Sequence, residues 1–121
     1  MPHELKLNSD SGYLQLTYSG EVKLDERKTA RDEVFQACED HQLARVLVDM
    51  RHSNIRMSEK DVVQFASSFQ RAKQLPGYRL ACLVEPHNQT ENLLEIIITQ
   101  EGINVKYFLS FESAIEWLLA I

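Results

Sequence analysis

With 121 residues, 44% of them hydrophobic and 26% charged, the chain has the size and composition of one globular domain, spanning residues 1–121, whose core needs no disulfide or metal. Its 13 Lys and Arg against 18 Asp and Glu give a net charge of −5, which opposes the attraction to phosphate that drives nucleic-acid binding. Three prolines and four glycines leave little material for linkers, and no internal repeat is visible. The opening Met1-Pro2-His3-Glu4 lacks the charged and apolar regions of a secretory leader. No apolar run approaches the roughly 18 residues that span a bilayer, so a cytoplasmic location is expected. Cys38 and Cys82 sit among apolar neighbours and read as small buried hydrophobes.

Residues 4–8 and 13–19 read as two strands around Ser9-Asp10-Ser11-Gly12, a cluster of turn formers of hairpin-loop length. In the second strand Leu14, Leu16 and Tyr18 alternate with Tyr13, Gln15, Thr17 and Ser19, so one face is packed and the other wetter. From Asp25 to His41, Ala30, Val34, Ala37 and Cys38 recur at helical spacing, with Arg27, Arg31, Glu33 and Glu39 expected on the solvent side. Arg45 to Met50 is a short apolar run with adjacent valines, the pattern of a central parallel strand covered on both faces. After a polar loop, Ser58 and Asp61 open a helix as a capping-box variant. Val62, Phe65, Ala66 and Phe69 form its buried stripe up to Leu75, and Pro76-Gly77 stops it.

Arg79 to Val84 repeats the central-strand pattern and ends at Glu85-Pro86, because proline has no N–H for the ladder. Residues 88–101 admit two readings. Leu93 to Ile98 has the β-branched content of a strand, but Asn88 or Thr90 supplies an N-cap, Gly102 a C-cap, and the span is helix-sized, so a helix is expected. Asn104 to Phe108 is then a strand, and Ser110 caps a last helix with Ala114, Ile115, Leu118 and Leu119 inward and Phe111 and Trp117 alongside. The order β-β-α-β-α-β-α-β-α, with short connections and right-handed crossovers, predicts an α/β fold. Its five-stranded mixed sheet has an antiparallel first strand, and about four helices pack on it.

Ligands of open α/β sheets gather beyond the carboxyl ends of the parallel strands. That edge is expected to carry Asp49, Arg51, His52 and His87. Asp49, His52 and His87 are residue types of acid–base or metal chemistry, yet neither a paired-histidine metal motif nor a nucleophile elbow is present, so no catalytic residue, metal or cofactor is assigned. Asp49 and Arg51 suit a strand-end ion pair. The histidines at 3, 41, 52 and 87 lack ligand spacing and are expected mostly at the surface. Gly12, Gly20, Gly77 and Gly102 are too scattered for a phosphate-wrapping loop. In the helix at 90–101, Leu93, Leu94 and Ile97 satisfy a core stripe and leave Ile96 or Ile98 partly outward. Leu93, Leu94, Ile96, Ile97, Ile98, Phe111 and Trp117 therefore mark a candidate ligand or partner surface.

Four segments carry a family resemblance: Tyr18-Ser-Gly-Glu-Val-Lys-Leu24, Val46-Leu-Val-Asp-Met-Arg51, Met57-Ser-Glu-Lys-Asp61 and Phe111-Glu-Ser-Ala-Ile-Glu-Trp-Leu118. Across nearly the whole chain the sequence resembles the SpoIIAA-like proteins, stand-alone bacterial relatives of the STAS domain. The resemblance implies a right-handed (βα) superhelix, shared with STAS anti-anti-sigma factors and with lipid-binding CRAL-TRIO domains. In the former, a serine opening the helix after the central strand is phosphorylated within an Asp-Ser-Ser/Thr-Gly-type motif. Here Ser58 falls close to that position in Arg56-Met-Ser-Glu-Lys60, without the preceding Asp-Ser or the following Gly. Ser58 is expected as a helix cap first and a phosphosite second.

The expected function is a non-enzymatic STAS-type binding and regulatory module, acting through a protein partner or as a homodimer. The alternative is a carrier, or peripheral membrane binder, of a lipid or other apolar ligand. An enzyme built on Asp49, His52 and His87 ranks below both.

Overall fold

The computed structural model describes residues 2–8, 10–86 and 89–120. In chain order these form β1 (His3–Asn8), β2 (Tyr13–Lys23), α1 (Leu24–His41), β3 (Arg45–Arg56), α2 (Glu59–Ala66), a short 3₁₀ helix (Gln70–Gln74), β4 (Arg79–Leu83), α3 (Gln89–Gln100), β5 (Val105–Phe108) and α4 (Phe111–Leu119). The described residues build a five-stranded sheet in the order β1-β2-β3-β4-β5. Its first pair is antiparallel and the rest are parallel. The hairpin turns at Gly12, which adopts a φ of +81° and donates its N–H to the Asn8 carbonyl at 2.9 Å. Residues 89–100 are helical, as the length of the span predicts; Thr90, one of the two expected N-caps, lies within the helix, and Asn88, the other, lies outside the described residues.

The helices divide unequally between the faces. In β3, Val46, Val48 and Met50 point into a large core under α1, α2 and α3, and Leu47 points the other way. On that second face α4 sets Ala114 and Leu118 against Leu47, Ala81 and Leu83. The arginines that open β3 and β4 secure the end of α4. Arg79 Nη1 donates to the Trp117 and Ala120 carbonyls at 2.9 and 2.6 Å, and Arg45 Nη1 to those of Leu118 and Ala120. Cations here satisfy carbonyls that a helix C-terminus leaves without intrahelical donors, and they oppose its dipole.

Three expectations need correction. The helix expected from Ser58 to Leu75 is broken, because the Ser67 and Ser68 hydroxyls donate back to the Gln64 and Phe65 carbonyls at 2.9 and 2.6 Å, and the chain tightens into the 3₁₀ turn. The strands expected to end near residues 19 and 50 run on to Lys23 and Arg56, pairing with each other beyond the end of β4. Val22, fully buried, anchors that extension. Leu119, expected inward, is exposed.

Candidate functional site

Ser58 caps α2 in the predicted way. Its hydroxyl accepts from the Asp61 N–H at 3.1 Å, and the Asp61 carboxylate accepts from the Ser58 N–H at 3.1 Å. The residue is exposed, as are Glu59 and Lys60 after it. Met57 turns inward, and its sulfur lies 3.7 Å from Arg27 Nη1. Exposed Ser58 thus neighbours a side chain that reaches the buried Arg27.

The strand-end cluster takes a different form from the expected loop edge. Thr17 pairs with Asp49 but Ser19 pairs with His52, so β3 carries an extra residue between these pairs. At this bulge Arg51 lies over Asp49: Nε to Oδ1 and Nη2 to Oδ2 are both 3.0 Å, and the Arg51 N–H adds a third bond at 3.1 Å. Burial works to raise the Asp49 pKa, but these bonds and the Arg51 charge hold it below the ordinary 3.8. A carboxylate engaged in this way is a poor general base. His52 is exposed within the ribbon, and His87 lies outside the described residues. Among the described residues no group of three or more His, Cys, Asp or Glu side chains could hold a metal ion.

The Asp49 pair also sets an acid response. A carboxylate with a lowered folded-state pKa contributes stability that is present above 3.8 and is lost as pH falls through the folded value. Asp49→Asn is expected to remove that part of the acid sensitivity, read as a flatter dependence of the urea midpoint on pH between about 5 and about 3.

The structure brings together a buried pair of opposite charges, one member of which, Arg27, was expected on the solvent side. Arg27 of α1, expected in solvent, is buried, and Glu91 of α3 is fully buried against it. Arg27 Nη1 to Glu91 Oε2 is 2.7 Å and Nη2 to Oε1 is 3.3 Å, while the Tyr107 hydroxyl donates to Glu91 Oε1 at 2.9 Å. The Phe65 ring lies 4.7 Å from the guanidinium carbon, and Met50 Sδ is 3.6 Å from Nη2. Both charged residues were visible on the apolar stripes: Arg27 precedes Ala30 and Val34 by three and seven, and Glu91 precedes Leu94 and Ile98 by the same steps.

Next to this pair is an internal cavity of about 30 Å³ between the sheet and α1, α2 and α3, lined by Leu16, Val34, Phe35, Leu94 and Ile98 among others. Leu94 and Ile98, expected in the ligand or partner surface, are core residues and line this cavity instead. Leu93, Ile97 and Trp117 are half-buried, whereas Ile96 is 53% and Phe111 37% exposed. Val63 on α2 and Leu109 before α4 add further exposed apolar surface. Cys38 and Cys82 are free and buried, and burial pushes the Cys38 thiol up to about 11. Among the described residues no helix is long and apolar enough to cross a membrane.

No protein-family model matches this sequence, and no curated protein sequence does. Solved structures do. The anti-sigma factor antagonist SpoIIAA in its unphosphorylated form superposes with a TM-score of 0.64 at 14% identity, covering 98% of this chain and 99% of that one. The fold is SpoIIAA-like. A DUF3478-family protein of Shewanella loihica PV-4, itself described as having a SpoIIAA-like fold, matches with a TM-score of 0.61 at 15% identity, over 96% of this chain and 91% of that one. The likeness extends over nearly the whole chain, and the five-stranded mixed sheet with its antiparallel first strand and four helices is the α/β architecture that matches these SpoIIAA-like structures.

Proposed function

We propose that this chain is a STAS-type binding and regulatory module that acts through a protein partner, with the start of α2 as its regulated surface. The observation that carries this reading is the exposed Ser58 hydroxyl capping α2 in a SpoIIAA-like fold, given that one structural neighbour is an anti-sigma factor antagonist in its unphosphorylated form. A phosphate on Ser58 would gain from the α2 amides and dipole but would crowd Glu59 and Asp61, so the local surface changes while the core does not. The reading requires no catalytic group.

Two measurements test it. Protein isolated from its own cells is expected to carry phosphate at Ser58 in intact-mass and peptide spectra, and Ser58→Asp is expected to weaken or abolish capture of a partner that the parent chain retains. Absence of both the phosphate and any Ser58-dependent partner removes the proposal. Ser58→Ala, by contrast, is expected to cost about 1 kcal/mol through loss of the cap, measured by urea denaturation.

The carrier reading has one observation in its favour, the apolar cavity beneath α1, α2 and α3. Its 30 Å³ falls about tenfold short of the smallest pockets that enclose drug-sized ligands, roughly 300 Å³. A lipid therefore requires α3 to move away from the sheet. Native mass spectra of freshly purified protein distinguish the two readings: a co-purified lipid supports the carrier, and a clean apo mass from repeated preparations counts against it.

A further inference from the structure

The edge strand β1 is held by an unusual contact. Leu5 is half-buried and Leu7 is 39% exposed, so apolar burial anchors β1 weakly, and His3 is its buried side chain. The His3 ring lies between two carboxylates of α1 that are seven residues, two helical turns, apart: Nδ1 meets Glu26 and Nε2 lies 3.2 Å from both oxygens of Glu33. A neutral imidazole has one N–H and turns a lone pair toward the second carboxylate, whereas the imidazolium donates to both. The Pro2 carbonyl, beside His3, accepts from Ser19 N–H at 2.8 Å and extends the contact to β2.

We propose that His3, Glu26 and Glu33 form a proton-operated clasp that locks β1 onto α1 and loosens it when the imidazole loses its proton. Tyr18 of β2 also faces His3, edge-on at 6.3 Å, and itself faces Arg27. Burial works to lower the His3 pKa, but the hydrogen bonds and charges of Glu26 and Glu33 outweigh it and leave the value above 6.5. A raised folded-state pKa means that the stabilisation is complete below about 6.5 and is lost as pH rises through the folded value. The clasp therefore opens as pH rises above about 6.5. Loosening β1 uncovers the β2 edge at Tyr13–Tyr18, whose backbone groups are then available for pairing.

Residue-resolved amide exchange, corrected for the intrinsic pH dependence of exchange, tests this. Protection of the β1 amides is expected to fall several-fold between about pH 6 and about pH 8, while Val46 and Val48 at the sheet centre keep theirs. E26Q/E33Q is expected to abolish the pH dependence in β1. Protection in β1 that is unchanged, that moves in step with the centre, or that keeps its pH dependence in E26Q/E33Q overturns the clasp. Should that variant fail to fold, the His3 ring resonance of the parent chain decides: a titration midpoint above 6.5 supports the clasp, and one at or below 6.5 overturns it.

Discussion

Glu91→Ala is expected to destabilise the fold by roughly 3–5 kcal/mol. Arg27 would keep its charge in a buried site beside Phe65 and two methionine sulfurs, without the carboxylate that now pairs with it. Most of the cost is that stranded cation. Removing both charges is expected to behave differently. Arg27→Met with Glu91→Leu fills similar volume and leaves no buried charge, so its stability should approach that of the parent chain or exceed it. Urea denaturation of the two single variants and the pair reads the difference directly. Near-additive losses in the double variant would show that the pair contributes packing rather than charge compensation.

Phe35→Ala is the second large effect, roughly 3–5 kcal/mol. The ring is fully enclosed and packs against Phe69 and Tyr78 with centroids 5.9 and 6.1 Å apart, and it already forms part of the cavity wall. Truncation joins a new void to an existing one. The surroundings are then less able to collapse than around an isolated vacancy, which places the loss toward the upper part of the range. Ile96→Ala, at a residue 53% exposed, is the control and should change stability by no more than about 0.5 kcal/mol. A shifted urea midpoint for Phe35→Ala with no shift for Ile96→Ala is the expected pattern.

These two sites differ in how far the amino-acid sequence exposes them. Phe35 lies on the amphipathic α1 three residues before Cys38, a spacing that suits burial. The sequence predicts the stripe as Ala30, Val34, Ala37 and Cys38, of which Ala37 is only half-buried. The Arg27–Glu91 pair does not follow from the period of either helix considered separately, because each charged residue reads locally as the polar end of an apolar stripe. The partners are 64 residues apart, and they compensate one another only after α1 and α3 come to lie on the same face of the sheet. His3 is similar: one residue near the start of an edge strand has no local partner, and Glu26 and Glu33 reach it from a helix.

The candidate site divides along the same line. Ser58 with Asp61 is a local motif, and the capping box forms as its spacing requires. Asp49 and Arg51 are also close in sequence and form the expected ion pair, whereas the bulge beside them, set by the register between β2 and β3, is not visible locally. His52 shares the strand and stays in solvent.

By itself the sequence determined the strand and helix order, the antiparallel opening, the cap at Ser58, and the absence of a glycine-rich phosphate loop. All of these rest on interactions within a few residues, or on the periods of 2 and 3.6 that one-sided burial imposes. Tertiary structure alone decided that β2 and β3 outrun their neighbours, that three helices share one face, and that Arg27, Glu91 and His3 are buried charged or titratable groups. Each of these depends on contacts between distant segments, and the stability of a buried charge is set by the partner that arrives across that distance.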